Sequence, residues 1–211
     1  VPMAEMLLEK GDDVDKTDVR GRTALAYAAK NGNAEIIRLI RDYGADIYLA
    51  DKDGKQPVVY AIEQGNAEAF DLLTDGFMLF GSAVGRNGKT VLMYAIEGGN
   101  VQILRKVMDR GLTTLNKKDR FGRTALMYLV GEGRPDMVRE LIQKGANVTA
   151  RDNNGKTVLM YAAEGGDIGK VRLLLAAGAN ASVQTQDGKT AADFAKGNGK
   201  CFADAVRKLL K

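Results

Sequence analysis

The residue types that most often carry catalysis are scarce in this chain of 211 residues. It has no histidine for proton transfer near neutral pH, so its single cysteine, Cys201, has no imidazole to activate it. Its two serines, Ser82 and Ser182, lie outside the G-x-S-x-G context of a nucleophile elbow. The sequence therefore predicts no catalytic residue, no cofactor and no enzymatic activity.

Three Gly-Lys-Thr triplets, which begin at Gly88, Gly155 and Gly188, have a composition that could bind phosphate. A P-loop also needs an earlier glycine at a fixed distance, in a strand–loop–helix setting, and each triplet lacks it. One cysteine without histidine likewise excludes a Cys/His zinc site. We expect neither a nucleotide nor a metal to bind.

Basic residues recur at one position and offer the chemistry of anion binding. They are Arg22, Lys55, Lys89, Arg123, Lys156 and Lys189. Glutamates recur in the same segments, at Glu63, Glu97, Glu132 and Glu164. The pattern has two interpretations: a striped surface for a partner of complementary charge, or exposed turn residues loosely paired with these glutamates. We favour the second. The net charge of +4 decides nothing by itself.

The composition is that of an ordinary folded protein, with 45% hydrophobic and 27% charged residues. No apolar run approaches the ~20 residues that cross a bilayer, and no leader with a cleavage site is visible. The compartment stays open: we favour the cytoplasm, while the periplasm or secretion fits if a leader was removed upstream of Val1.

The elements that position these residues follow from an internal repeat. Six glycines precede the basic residues at intervals of 33 or 34, namely Gly21, Gly54, Gly88, Gly122, Gly155 and Gly188. Each opens a related segment, such as GRTALAYAAKNG, GKTVLMYAIEGG and GKTVLMYAAEGG. A second apolar run that ends in glycine follows, as in RELIQKGAN and RLLLAAGAN. A strict period of this length predicts stacked repeats rather than a globular helical bundle.

At these residues the chain resembles the ankyrin-repeat family, whose units carry G-x-T-P-L-H-x-A-A and a later L-L-x-x-G-A-D. The usual proline survives only as Pro57, and the usual histidine is replaced by Met93, Met127 and Met160. The resemblance implies that the bracing normally given by histidine comes here from threonines or from packing. The sequence of this chain resembles bacterial members of the family more than animal ones.

Each unit can also be predicted from physical rules alone. The threonine after Gly-Lys or Gly-Arg suits a helix N-cap, and the glycine after each helix suits a positive φ. The predicted caps are Thr23, Thr90, Thr124, Thr157 and Thr190. The predicted terminating glycines are Gly32, Gly65, Gly99, Gly133 and Gly166 for first helices, and Gly44, Gly111, Gly145 and Gly178 for second helices. Second helices are expected over Ala34–Tyr43 and Asp136–Lys144.

The predicted fold class is all-α: an ankyrin-type helical repeat solenoid with short loops or β-hairpins between units. We expect a single domain over residues 1–211. Its parts are a half repeat at 1–17, repeats at about 18–50, 51–84, 85–118, 119–151 and 152–184, and a capping repeat at 185–211. The last segment is amphipathic, as a terminal cap requires.

Two loops depart from the repeat and offer apolar residues for contact. The stretch 75–88 carries Phe77, Met78, Leu79 and Phe80 where a polar hairpin is expected, and Phe121 stands at a loop tip. Clustered aromatic residues and methionine are typical of interfaces. The alternative is that the first cluster fills space between units, and we favour this for 77–80. For Phe121 we weigh contact with a partner and a purely structural role equally.

A tyrosine recurs at one position of five repeats and invites comparison with a stacking ladder for bases or sugars. The five are Tyr27, Tyr60, Tyr94, Tyr128 and Tyr161. The family resemblance instead implies an apolar position between helices, where a phenol fits with its hydroxyl at the rim. We therefore predict that these rings belong to the core.

We conclude that the sequence predicts a protein–protein interaction scaffold that binds through loop tips and the concave face of its first helices. Alternatives are nucleic-acid or acidic-partner binding along the basic residues, or a docking part of a longer enzyme. The candidate contact residues are Lys55, Arg86, Asn87, Lys89, Glu97, Arg120, Phe121, Arg123, Glu132, Asn153, Asn154 and Lys156. The partner is expected to be another protein, and its identity is open.

Overall fold

The structure, a computed structural model, consists of short α-helices joined by turns. It describes residues 11, 13–75, 85, 87–110, 115–132 and 134–209. Over these ranges, β-structure is limited to two isolated bridges, Thr17 to Thr23 and Arg151 to Thr157. The predicted all-α repeat fold is confirmed.

The chain divides into two compact units, and the first, Val1–Thr114, holds three described helix pairs. Its helices are α1 (Ala24–Asn31), α2 (Ala34–Asp42), α3 (Pro57–Glu63), α4 (Ala67–Thr74), α5 (Val91–Glu97) and α6 (Val101–Asp109). The first helices of successive pairs pack side by side, α1 on α3 and α3 on α5. The core of this unit is therefore a layer of buried apolar side chains between consecutive pairs, such as Leu25, Ile62 and Leu92.

The second unit, Leu115–Lys211, repeats the arrangement and ends in a modified pair. Its helices are α7 (Ala125–Gly131), α8 (Pro135–Gln143), α9 (Val158–Glu164), α10 (Ile168–Ala176), α11 (Ala191–Phe194), a 3₁₀ turn (Ala195–Asn198) and α12 (Lys200–Leu209). In α12, Ala203 and Val206 are buried while Arg207 and Lys208 face solvent. This is the amphipathic pattern predicted for the last segment.

Threonine caps begin several first helices as predicted, and methionine completes them. Thr90 Oγ1 accepts the Met93 N–H at 3.3 Å, and the Thr90 N–H points back to the Met93 sulfur at 3.5 Å. Thr157 and Met160 form the same reciprocal pair. Methionine at the family's histidine position thus takes part in the cap, a role that the sequence analysis did not anticipate.

The threonine prediction does not hold at every position. Thr23 caps α1 through the Ala26 N–H at 3.2 Å. Within the described part of the chain, Thr124 makes no cap bond and its buried hydroxyl has no hydrogen-bond partner. At Thr190 the arrangement reverses, because its N–H and hydroxyl both donate to the Asp193 carboxylate.

Helix ends follow the glycines, with small corrections to the predicted bounds. Glycines with positive φ stand where first helices end at Gly32, Gly65, Gly99 and Gly166, and where second helices end at Gly44, Gly145 and Gly178. Gly111 and Gly133 lie outside the described residues. The observed second helices run over Ala34–Asp42 and Pro135–Gln143, and each end lies within one residue of the predicted one. Helix α8 starts one residue earlier than predicted because Pro135 occupies its first turn.

Side-chain amides connect successive pairs through the ends of the first helices. The Asn66 amide donates to the carbonyls of Ala29 and Lys30, and the Asn100 amide donates to that of Gly65. In the second unit this connection is made by Lys170, a lysine only 3% exposed whose ammonium donates to the carbonyls of Val130 and Glu132. These bonds hold the loops of neighbouring pairs in register.

Candidate partner-binding surface

The loops before the first helices share a turn built around an aspartate. In four of them one carboxylate oxygen accepts two backbone N–H groups, two and four residues further on, at 2.8–2.9 Å. The four residues are Asp18, Asp51, Asp119 and Asp152. We call the five residues from this position to the basic residue a loop tip, in these four loops and also at residues 185–189, where Thr185 stands in place of the aspartate. The carboxylate fixes the tip in the four loops because it satisfies backbone donors that would otherwise need water.

The other oxygen of each aspartate binds a phenol of the tyrosine column. Tyr128 donates to Asp119 at 2.7 Å and Tyr161 donates to Asp152 at 2.8 Å. Tyr27 and Tyr60 make the same bond to the aspartates of their own tips. Burial, and then the bond to Asp152, raises the pKa of Tyr161 well above its usual value. These hydrogen bonds therefore connect the first helix of each unit, which carries the tyrosine, to the loop tip that precedes it.

This geometry partly confirms the predicted core role of the tyrosines. Tyr94 is buried, while Tyr60, Tyr128 and Tyr161 are half-buried with their hydroxyls on the loop carboxylates. Tyr27 is 40% exposed, so the prediction of a core ring is wrong there. Four of the five hydroxyls are hydrogen-bonded and all five rings lie beside basic side chains, so these tyrosines do not form a free stacking ladder.

The basic residues are paired rather than free along most of the row. Arg22 and Arg123 bind their own tip aspartates at 2.8 and 2.9 Å. Three lysines bind glutamates eight residues later: Lys55 to Glu63 at 2.6 Å, Lys89 to Glu97 at 2.6 Å and Lys156 to Glu164 at 2.5 Å. The pairing supports the interpretation of solvated turn residues over a uniformly positive ridge. The predicted glutamate partners are correct for the lysines, whereas Arg123 uses Asp119 instead of Glu132.

Asp119 is the most buried of these aspartates, at 6% exposure. Burial alone would raise the pKa of its carboxyl, but hydrogen bonds from Tyr128 and from the backbone and guanidinium of Arg123 outweigh it and lower the pKa below its usual value. The carboxylate is therefore charged at neutral pH, and hydrogen bonds from Phe121, Arg123 and Tyr128 hold it in place.

Phe121 stands out on the tip that Asp119 organises. Its side chain is 47% exposed, and the guanidinium carbons of Arg120 and Arg123 lie 5.6 and 4.7 Å from the ring centroid. Phe121 borders an open cleft of about 400 Å³. The cleft is lined by Phe121, Arg123, Asp152, Asn153, Asn154 and Tyr161. An exposed aromatic ring beside a cleft is suited to contact with a partner.

A second cleft of about 320 Å³ follows on the next tip of the same unit. It is lined by Asn154, Lys156, Thr185, Gln186, Asp187, Lys189 and Phe194. Between the two clefts lies Asn154, whose side-chain amide makes no hydrogen bond in the described part of the chain. We call the two clefts together the loop-tip groove.

The remaining predicted site residues are spread over both units. Arg86 and the Phe77–Phe80 cluster lie outside the described residues, so their roles stay predictions. Asn87 is half-buried. Glu132 is exposed, with its carbonyl bound by Lys170. Of the predicted set, the structure brings Phe121, Arg123, Asn153, Asn154 and Lys156 together at the groove.

The sequence analysis missed the residues that shape the second half of the groove, Thr185, Gln186, Asp187, Lys189 (which it noted only as basic) and Phe194. A signal for them existed. The spacing D-x-x-G-(K/R) with a tyrosine nine residues after the aspartate recurs in four units. The last unit replaces both ends of that pattern, with Thr185 for the aspartate and Phe194 for the tyrosine.

Other kinds of site find no support in the described ranges. No group of three or more acidic, cysteine or histidine side chains is placed to hold a metal ion there. None of the helices in these ranges is long and apolar enough to cross a membrane.

The repeated helix pairs with capped loop tips define a class of helical repeat proteins. Family models for ankyrin repeats match residues 1–80 and 77–152 (a model of three copies) and residues 141–195 (a model of many copies). The chain belongs to the ankyrin-repeat family. Ankyrin repeats are non-enzymatic modules for protein–protein interaction, which confirms the predicted class of function.

Solved structures share the fold at low sequence identity. The chain is similar to the ankyrin repeat domain of Bcl-3, a member of the IkappaB family, with a TM-score of 0.80, 24% identity and coverage of 98% of this chain and 91% of that one. It is also similar to the human ASB11 ankyrin repeat domain, with a TM-score of 0.77, 20% identity and coverage of 98% and 91%. A search of curated protein sequences gave no significant match.

Proposed function

We propose that this protein holds an extended segment of another protein along the loop-tip groove of its second unit. The observation that carries the proposal is Phe121, a large aromatic side chain that is 47% exposed at the mouth of a cleft. Energetic hot spots of interfaces are enriched in large aromatic residues and in arginine, and here Arg120 and Arg123 both lie against the Phe121 ring.

The middle of the groove suits a peptide backbone. The side-chain amide of Asn154 has a donor and an acceptor side by side, and neither forms a hydrogen bond within the described part of the chain. An extended segment presents an N–H and a C=O in the same way. Asn153 stays fixed, because its amide donates to the Arg120 carbonyl at 2.9 Å. The groove is thus preformed, which limits the entropic cost of binding.

The proposal can be tested with a random peptide library displayed on phage and selected on the whole chain. Peptides recovered on the wild type should bind the Phe121→Ala variant about tenfold or more weakly, as for loss of an aromatic anchor. The matched control is Val19→Ala, which removes an exposed apolar side chain from a loop tip of the first unit.

Fluorescence anisotropy with the selected peptides measures both variants. Equal affinity of wild type, Phe121→Ala and Val19→Ala would contradict the proposed groove. Recovery of no peptide above background would also count against an extended segment as the ligand.

A further inference from the structure

The last loop tip departs from the others at the positions that supply negative charge. Thr185 stands where four tips have aspartate, and Gly197 stands where lysine-bearing units have glutamate, eight residues after the lysine. Phe194 replaces the tyrosine and has no hydroxyl to share. This tip therefore keeps the basic residue, Lys189, and loses both internal carboxylates.

Two donors at this tip, the Lys189 ammonium and the Asp187 N–H, lack the acceptor that a carboxylate provides in other tips, and the Thr185 hydroxyl adds a third donor. Over the described residues, no carboxylate oxygen lies within ion-pair distance of the Lys189 ammonium. The Thr185 hydroxyl oxygen accepts the Lys189 N–H at 3.1 Å, so its own proton is available to donate. The Asp187 N–H has no side-chain acceptor there, whereas its counterparts in four tips bind carboxylates at 2.8–2.9 Å.

We propose that a glutamate or aspartate side chain of the bound protein supplies the missing carboxylate at the last tip. The proposal rests on the proposed function, because the cleft that receives the carboxylate is the second half of the loop-tip groove. The ligand carboxylate accepts from the Lys189 ammonium, the Thr185 hydroxyl and the Asp187 N–H. In the preceding tip the corresponding N–H, that of Asn154, binds Asp152, and the corresponding ammonium, that of Lys156, binds Glu164.

The charges around the second cleft predict how single substitutions should change the affinity for an acidic ligand. Lys156, on the other wall of the cleft, is already bound to Glu164 at 2.5 Å, so Lys189 is the cation left to meet the ligand. The Asp187 side chain also lines the cleft and opposes a second carboxylate. Removing the charge of Asp187 should therefore strengthen binding, while removing that of Lys189 should weaken it.

A second substitution imitates the other tips. In Thr185→Asp the chain itself supplies a carboxylate beside Lys189 and the Asp187 N–H, as Asp152 does in the preceding tip. This variant should exclude an acidic ligand without loss of fold. Lys144→Gln is the matched control, since Lys144 directly follows α8, is not among the residues that line the groove, and lies near Glu140 at 3.7 Å.

The experiment uses the same phage-displayed library, sequenced after selection on the wild-type chain and on each variant. Peptides from the wild type should be enriched in glutamate or aspartate at one position. Their affinity should fall about tenfold or more with Lys189→Gln and with Thr185→Asp, as for loss of a charge-assisted hydrogen bond. It should rise with Asp187→Asn and stay unchanged with Lys144→Gln.

The outcomes separate this inference from the proposed function. Peptides that depend on Phe121 but show no acidic preference would overturn the carboxylate site and leave the groove intact. Acidic peptides that bind Lys189→Gln and Lys144→Gln equally would also overturn it. Acidic, Lys189-dependent peptides that ignore Phe121→Ala would support the carboxylate site and contradict the anchor at Phe121.

Discussion

The loop tips before α9 and α11 share a backbone turn and differ in what fills it. In both, the N–H of the first residue binds the carbonyl of the basic residue, at 3.0 Å from Asp152 to Lys156 and at 2.9 Å from Thr185 to Lys189. The glycines also match, with φ of 79° at Gly155 and 74° at Gly188. The backbone turn is therefore independent of the side chain that starts it.

The side chains separate a closed tip from an open one. Asp152 binds two backbone N–H groups and the Tyr161 hydroxyl, and Lys156 binds Glu164. At the last tip the hydroxyl of Thr185 accepts only the Lys189 N–H. The repeat therefore determines the backbone shape of the loop. Whether the hydrogen-bond donors of the loop are bound within the chain or are available to a ligand depends on the acidic side chains that the loop carries.

The largest expected effect comes from opening the most buried closed tip. In Asp119→Ala, the part-buried backbone donors of the tip, the Arg123 guanidinium and the Tyr128 hydroxyl lose their acceptor. The free energy of unfolding should fall by about 2–4 kcal/mol, because several part-buried donors lose their acceptor at once. Urea denaturation followed by circular dichroism measures it.

The control for this variant is Asp187→Ala, which removes an exposed carboxylate at the open tip. Its effect should stay within about 0.5 kcal/mol. Similar losses in the two variants would show that the closed and open tips do not differ energetically.

The closed tip should also respond to acid. The pKa of Asp119 is lowered in the folded chain, so the unfolded chain binds the proton more tightly. The stability that this carboxylate contributes is therefore fully present above its ordinary pKa of 3.8 and is lost as the pH falls below that value. Urea titrations from neutral pH downward should show a steeper loss for the wild type than for Asp119→Asn. Parallel curves would rule out this linkage.

Introducing the aspartate and tyrosine of a closed tip into the last unit should raise the free energy of unfolding, by less than Asp119→Ala lowers it. The double substitution Thr185→Asp and Phe194→Tyr restores the carboxylate–phenol bond that Tyr161 and Asp152 make at 2.8 Å. The free energy of unfolding should rise by about 1 kcal/mol, with most of the gain absent from either single variant.

A double-mutant cycle in urea measures this coupling. Additive single effects would show that the two positions do not form the bond, and that the open tip differs from the closed one in more than these side chains.

These contrasts also show which parts of the fold can be predicted from sequence. The helix pairs could be predicted from the period of 33–34 residues, the terminating glycines and the threonine caps. These signals are local in the chain and follow from backbone geometry. Thr124 is the exception, since its sequence context matches the other caps while its buried hydroxyl has no hydrogen-bond partner among the described residues. A rule that uses only neighbouring residues does not distinguish Thr124 from the threonines that form caps.

The candidate site was predictable only in its first half. Phe121, Asn153 and Asn154 could be named because each stands in a loop next to a repeat glycine. The second half required knowing that the aspartate and the tyrosine nine residues later bind each other. Only that contact shows that the exchange of both residues for Thr185 and Phe194 removes the carboxylate and the hydroxyl from the cleft that Lys189 lines. A spacing pattern alone does not say which of its members touch.

The smallest expected changes in the free energy of unfolding come from substitutions of the two lysines that line the second cleft, Lys156 and Lys189. The Lys156 ammonium lies 4.1 Å from the Tyr161 ring centroid and 4.5 Å from that of Phe194, and it binds Glu164. Lys156→Gln should therefore lower the free energy of unfolding by about 0.5–1 kcal/mol. Lys189→Gln should change it by less than about 0.5 kcal/mol, because a side chain without an internal partner contributes little to stability. Thermal unfolding monitored by calorimetry resolves the two. If Lys189→Gln proved as destabilising as Lys156→Gln, Lys189 would have a partner inside the chain, and its ammonium would not be available to a ligand carboxylate.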